Sequence, residues 1–341
     1  MPTREGVRRS LGLDPSYDEW LDVLERLGPP PGGLVDRGPD QTRSLLERVG
    51  CTGDDLVEAL ATAPSPDQTA LWWLLERAHH AVVRGLEPDG QPWSLPQLPD
   101  ALGATGRFFP LHVLLSAVPA LRAWHAARGI AADVTWATLQ DLGRGAAIHR
   151  ATSGVGGYAK AGWAALHFRG RLYQLGRLQY ELMTVSRPLP APMCWYDDAE
   201  AAQRGPGFRV GDPVLNVHVP ATGPLTAEAC DESLALARAF VDRHFPAPDR
   251  RLAVCVSWLL DDQLAEHLPP SSNIVAFQRR FTLVPGAVRD DHEPLRFVFR
   301  RVPDDLRGLP RETTLQRSLL DHLAAAGHWH VRTGWFLLAG P

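Results

Sequence analysis

Three side chains in the second half of the chain have the types and settings for proton transfer: Glu181, His218 and Ser257. His218 belongs to VLNVHV (Val214–Val219), where strand alternation puts Leu215, Val217 and Val219 on one face and Asn216 and His218 on the other. An imidazole titrates near neutrality without help from its surroundings, which makes His218 a candidate general base. Glu181 lies in another strand pattern, and a carboxylate near the middle of a sheet acquires a raised pKa when it loses water. Ser257 shares a strand face with Cys255 in LAVCVSWLL, where its hydroxyl can donate a proton or a hydrogen bond. Each residue also has a purely structural alternative. Glu181 can pair with Arg177 or Arg279, His218 can be a hydrogen-bonded core residue, and Ser257 can simply pack. A hydrolytic triad of Ser257, His218 and Glu181 is disfavoured, because no G-x-S-x-G elbow surrounds the serine.

The elements that must position these groups are a strand, a turn, a helix and a second strand. After the first strand comes Pro220-Ala-Thr-Gly-Pro-Leu-Thr226, rich in chain breakers and ending on a threonine suited to an N-cap. From Ala227 to about Phe245 the apolar residues Cys230, Leu234, Ala237, Val241 and Phe245 follow at spacings of four and three, predicting an amphipathic helix. Leu252–Leu260 is an almost continuous apolar run, as in a strand buried on both faces. A helix N-terminus beside the ends of two central strands favours an anion, so a nucleotide-like acyl carrier fits there; an ordinary structural β-α-β unit is the alternative.

Upstream, helices are predicted over residues 18–27, 42–49, 54–61, 68–85, 111–128 and 135–150, with a Pro- and Gly-rich loop from Gly85 to Pro110. Two strand patterns, Trp163–Arg169 and Leu172–Met183, read as a hairpin joined at Arg169–Arg171, and Ser186–Gly211 reads as a connection carrying Trp195 and Tyr196. Downstream, the patterns predict a short helix over Asp261–His267, strands over Asn273–Leu283 and Leu295–Val302, a helix over Thr313–Ala326 and a last strand over Trp329–Leu338. Mostly antiparallel pairing interrupted by one crossover helix is an α+β arrangement.

Composition sets the outer bounds. The 341 residues predict two domains, and 45% hydrophobic with 22% charged residues is ordinary for a globular protein. A net charge of −4 gives no electrostatic reason to expect nucleic acid or an anionic membrane as partner. No signal peptide or run of about 20 apolar residues is visible, and four scattered cysteines predict neither disulfides nor a zinc site, so a cytoplasmic location is expected. No metal is expected: the adjacent His79 and His80 diverge on a helix, and His328 and His330 share a face but lack a further ligand.

The words GRLQYE (Gly176–Glu181), NVHVPATGPL (Asn216–Leu225), SWLLDDQL (Ser257–Leu264) and LPPSSNIVAFQRRF (Leu268–Phe281) resemble the GNAT-type N-acyltransferases, and more specifically bacterial two-domain acyltransferase proteins. The resemblance implies a helical GNAT-like N-terminal domain over residues 1–128. A GNAT-like acyltransferase domain over 129–341 follows, with a mixed, mostly antiparallel sheet and flanking helices. It also implies an acyl-CoA co-substrate, acetyl-CoA or longer, whose pyrophosphate meets the helix after the fourth strand and whose pantetheine enters between splayed strands. Val217, Val219, Thr222, Gly223, Leu225, Thr226, Ala227 and Asn273 would then hold the cofactor, and the acceptor would be an amine of a small molecule or peptide. One departure stands out. The family's Gln/Arg-x-x-Gly-x-Gly/Ala loop is replaced by a turn in which only Gly223 suits close backbone approach and Pro224 has no N–H. That leaves open a carrier-protein donor or a non-catalytic protein that binds acyl thioesters.

Overall fold

The computed structural model describes residues 2–86, 90, 92–185, 199, 202, 209–246 and 252–338. Most of the Ser186–Gly211 connection, with Cys194, Trp195 and Tyr196, lies outside them. The chain divides into two compact units, Met1–Tyr173 and Gln174–Pro341. The division expected after residue 128 is displaced, because the helices that follow it pack with those that precede it.

The first unit is built from nine helices among the described residues: α1 (Arg4–Ser10), α2 (Asp18–Leu27), α3 (Gly38–Arg48), α4 (Gly53–Ala61), α5 (Thr69–Arg84), α6 (Gly103–Ala127), α7 (Ala132–Leu139), α8 (Asp141–Ser153) and α9 (Ala161–Phe168). Leu71, Leu74, Leu75, Ala78 and Val82 of α5 fall at helical spacing and are buried. The helix predicted over 111–128 begins earlier, at Gly103, and runs through Pro110 and Pro119. It is apolar and long enough by composition to cross a membrane, yet its most apolar stretch is 67% buried within the protein, as in a central core helix. The helix predicted over 135–150 is two helices, α7 and α8. The strand expected over Trp163–Arg169 is instead α9: its buried residues, Ala161, Ala164, His167 and Phe168, have helical spacing.

The second unit holds a seven-stranded sheet: β1 (Leu172–Leu175), β2 (Leu178–Thr184), β3 (Pro213–His218), β4 (Leu252–Ser257), β5 (Thr282–Leu283), β6 (Val288–Arg289) and β7 (His330–Leu337). The strand order is β1-β2-β3-β4-β7-β5, with β6 also pairing β7. β2–β3, β4–β7, β5–β7 and β6–β7 are antiparallel and β3–β4 is parallel. The parallel pair is joined by the predicted crossover helix, α10 (Ala227–His244). The single strand expected over Leu172–Met183 is broken at Gly176, whose φ of +68° makes the β1–β2 turn.

Short apolar stretches account for the other corrections. Asn273–Leu283 forms α12 (Asn273–Gln278) before the two-residue β5, because the Ser272 side chain accepts from Ile274 N–H and starts a helix. Leu295–Val302 lies largely in α13 (His292–Phe299), where Asp290 Oδ1 accepts from the N–H groups of His292 and Glu293. Asp261–His267 reduces to α11 (Leu264–His267), and α14 (Thr314–Ala324) forms as predicted behind a Thr313–Gln316 capping box. Trp258, Leu264, Leu268, Val275, Leu295, Leu319 and Trp329 make the apolar cluster that joins these helices.

Candidate functional site

The antiparallel register of β2 and β3 sets Glu181 opposite Asn216 and Gln179 opposite His218, so all four side chains share one sheet face. Glu181 and His218, each expected separately as a base, meet: His218 Nε2 lies 3.1 Å from Glu181 Oε2. Asn216 Nδ2 lies 3.4 Å from the same carboxylate oxygen and 3.2 Å from His218 Nε2. With Nε2 donating to the carboxylate, the imidazole would carry its basic lone pair on Nδ1. The Glu181 side chain is 9% exposed and the His218 side chain 22%, so the carboxylate is the more buried member and the imidazole the more accessible one. Beside them, Nε2 of Gln179 and Oδ1 of Asn216 are buried and have no protein partner among the described residues.

β3 and β4 pair only from Val214/Leu252 to Asn216/Val254. β3 then continues to His218 and β4 to Ser257 without pairing each other, so the sheet opens beside His218. The backbone of Val217 and Val219 borders this opening, whereas the Val217 side chain is buried on the opposite face, at the level of Tyr180. Ser257 also falls on that opposite face by alternation from Val254, and its Oγ accepts from Leu259 N–H at 3.1 Å to cap a short 3-10 turn. Alternation therefore separates Ser257 from the Glu181–His218 face, against a hydrolytic triad.

Beyond His218 the chain enters the proline-flanked turn. Thr222 N–H closes it on Pro220 O at 2.9 Å, and Gly223 has φ +124°, a conformation open to glycine and strained for other residues. Thr226 is the N-cap: its Oγ1 accepts from Ala229 N–H at 3.2 Å, and its carbonyl accepts from Cys230 N–H. Leu225 is buried and seats the turn. Arg280, whose Nη2 donates to Ala227 O at 3.0 Å and which pairs with Asp231, brings positive charge to the first helical turn. Burial pushes the Cys230 thiol up, against the pull of Arg280 and Arg177. Asn273 opens α12, whose N-cap is Ser272.

Arg177 pairs neither with Glu181 nor along a strand; it reaches the turn, a role its place in an apparent strand concealed. His328 and His330 bond different carboxylates, Asp291 at 3.1 Å and Asp261 at 3.5 Å. Among the described residues no group of three His, Cys, Asp or Glu side chains is arranged to hold a metal. In the first unit His79 bonds Ser116 Oγ at 2.9 Å and His80 bonds Gly28 O at 3.0 Å. A second histidine–carboxylate pair, His167 Nε2 to Asp141 Oδ2 at 2.9 Å, is wholly buried at the histidine. Burial works to raise the Asp141 pKa, but His167, Arg144 and Trp163 together hold it well below the usual carboxylate range.

Residues 172–336 match the family model of the GNAT-like C-terminal domain, and residues 40–170 match that of the N-acyltransferase N-terminal domain. A comparison with curated proteins returned no match. Among solved structures, an acyltransferase in complex with decanoyl-CoA is 40% identical, covers 99% of this chain and 100% of its own, and superposes with a TM-score of 0.87. An acyltransferase in complex with decanoyl-CoA and teicoplanin is 42% identical, over 99% and 100% of the two chains, with a TM-score of 0.83. The acyltransferase mutant orf11*-W163A in complex with octanoyl-CoA is 42% identical over 98% and 99%, also with a TM-score of 0.83. Such identity over nearly the whole length, with both domain models in order and a sheet that opens beside a histidine–carboxylate pair, means that the chain belongs to the two-domain GNAT-type N-acyltransferases.

Proposed function

We propose that this acyltransferase moves an acyl group from acyl-CoA to an amine of a small molecule or peptide, with His218 as general base. The observation that carries the reading is the Glu181–His218 pair placed where β3 and β4 part. Acyl transfer needs a neutral amine: its nitrogen attacks the thioester carbonyl carbon, the C–S bond breaks, and the amine gives up a proton. His218 Nδ1 takes that proton while Glu181 stabilises the imidazolium that forms. Backbone groups of Val217 and Val219 at the opening polarise the carbonyl. Ser257, on the opposite face of β4, is outside this step, and the imidazolium returns the proton to the departing thiolate. The turn from Thr222 to Ala227 receives the pyrophosphate, because a helix N-terminus offers unpaired N–H groups and the positive end of the helix dipole.

The octanoyl-CoA and decanoyl-CoA complexes of the relatives support a medium-chain acyl donor, and the teicoplanin complexes support a peptide-like acceptor. The test is direct: incubate the protein with octanoyl-CoA or decanoyl-CoA and teicoplanin, and follow released thiol and product mass. An acylated product and stoichiometric free CoA are expected. Stabilisation by CoA without turnover of any amine would favour a non-catalytic thioester-binding role, and no stabilisation by any CoA species would favour a carrier-protein donor. A ligand at about 100 times its Kd adds about 2.7 kcal/mol of stability, so the binding arm is easily read by thermal shift.

A further inference from the structure

We infer that Arg177 is a positioning residue that shapes the Pro220–Thr226 turn for the CoA pyrophosphate, in place of the family's glycine-rich loop. The inference rests on the reading above, in which the CoA phosphates meet this turn. Arg177 follows Gly176 in the β1–β2 turn, and its guanidinium spans the loop: Nε donates to Pro224 O at 3.0 Å, Nη1 to Pro220 O at 2.8 Å and Nη2 to Gly223 O at 2.9 Å. Nη1 also lies 3.4 Å from Thr222 Oγ1. A planar fork of fixed geometry thus collects three carbonyl oxygens from one turn.

In a trans peptide the C=O and the following N–H point in opposite directions. Drawing the carbonyls of Pro220 and Pro224 toward Arg177 therefore turns the N–H groups of Ala221 and Leu225 away from it. Among the described residues, the N–H groups of Gly223, Leu225, Thr226, Ala227 and Glu228 have no protein acceptor. The turn is electrically sorted, with acceptors gathered on a cation and donors left for an anion. Carbonyl oxygens facing the phosphates would repel them, and two prolines leave the turn few amides to spare, so their orientation matters more here than in a loop of glycines.

The test compares apparent affinity for octanoyl-CoA with that for octanoyl-pantetheine, which lacks the phosphates, in wild type, Arg177→Met and Arg177→Lys. Wild type is expected to favour the CoA thioester. Arg177→Met should raise KM for octanoyl-CoA about tenfold or more, leaving KM for octanoyl-pantetheine and kcat at saturation within about twofold. Lysine keeps the charge but cannot span three carbonyls, so Arg177→Lys should recover only a minor part of the loss. Should the methionine variant fail to fold, the lysine variant carries the same comparison, with at least about a fivefold loss expected. Unchanged discrimination in Arg177→Met, equal loss toward both thioesters, or full recovery by lysine would each overturn the inference alone. A wild type with no preference for the CoA thioester would overturn the phosphate placement too, and so separates the two failures.

Discussion

His218 Nε2 lies 3.1 Å from Glu181 Oε2 across the β2–β3 ladder, with the carboxylate buried and the imidazole reaching the opening between β3 and β4. On the proposed mechanism the two residues act as one unit, so their variants should not be additive. His218→Ala is expected to lower kcat by about 10²–10⁴-fold, the usual contribution of a general base. Glu181→Gln should lower kcat by less, and the double variant should be no worse than His218→Ala. Steady-state thiol release with octanoyl-CoA checks this, and full turnover in His218→Ala would remove it from the base role.

Ser233 fastens α10 to the β1–β2 hairpin. Its Oγ accepts from Leu178 N–H at 3.0 Å, meets the Tyr180 hydroxyl at 3.0 Å and bonds Leu175 O, all fully buried. Ser233→Ala strands these groups away from water and is expected to cost about 1–3 kcal/mol. Urea unfolding measures the loss. Because Arg177 sits in that hairpin, affinity for CoA should fall as well.

Gly143 in α8 packs directly on the backbone of Gly50 and Cys51; a Cβ there would overlap the Gly50 carbonyl. Gly143→Ala should therefore destabilise the first unit by about 1–3 kcal/mol or more through overpacking. Gly162 in α9, where a Cβ meets nothing within 4 Å, provides the control. Thermal melts of the two alanine variants should differ clearly.

Burial lowers His79 and His112 to about 4, and Arg37 adds to the shift at His79. Both are neutral in the folded state, while in the unfolded chain they bind protons below their ordinary value of 6.5. Between pH 6.5 and about 4 the unfolded state thus holds more protons, and stability falls with falling pH by about 1.4 kcal/mol per pH unit for each histidine. Denaturant midpoints at pH 7, 6 and 5 should decline accordingly, and His112→Gln should flatten the decline.

Legibility in the sequence followed element length. The β3–α10–β4 unit was readable because alternation in VLNVHV, heptad-like spacing from Cys230 to Val241, and the Thr226 cap all agree, and its bounds hold to within a residue or two at most points. Partly apolar stretches of only eight residues, such as Ala161–Phe168 and His292–Phe299, fit either period, and tertiary burial made them helices. Within the site, Glu181 and His218 were visible as chemistry but not as partners, since only the ladder register brings them together. Arg177 falls inside the strand pattern Leu172–Met183; the left-handed Gly176 takes it out of the strand and gives it to the turn.

The early end of β3–β4 pairing places two strand edges that do not pair each other in the interior of a sheet, not at its rim. An exposed rim strand invites a neighbouring chain to extend it, a route to aggregation. Here the parted edges are flanked on one side by β2 and on the other by β7, so a whole foreign strand has no lateral approach. What can fill the cleft is a slender chain carrying its own amides, inserted lengthwise as a partial rung. The sheet thereby selects its guest by cross-section before any side chain reads its chemistry.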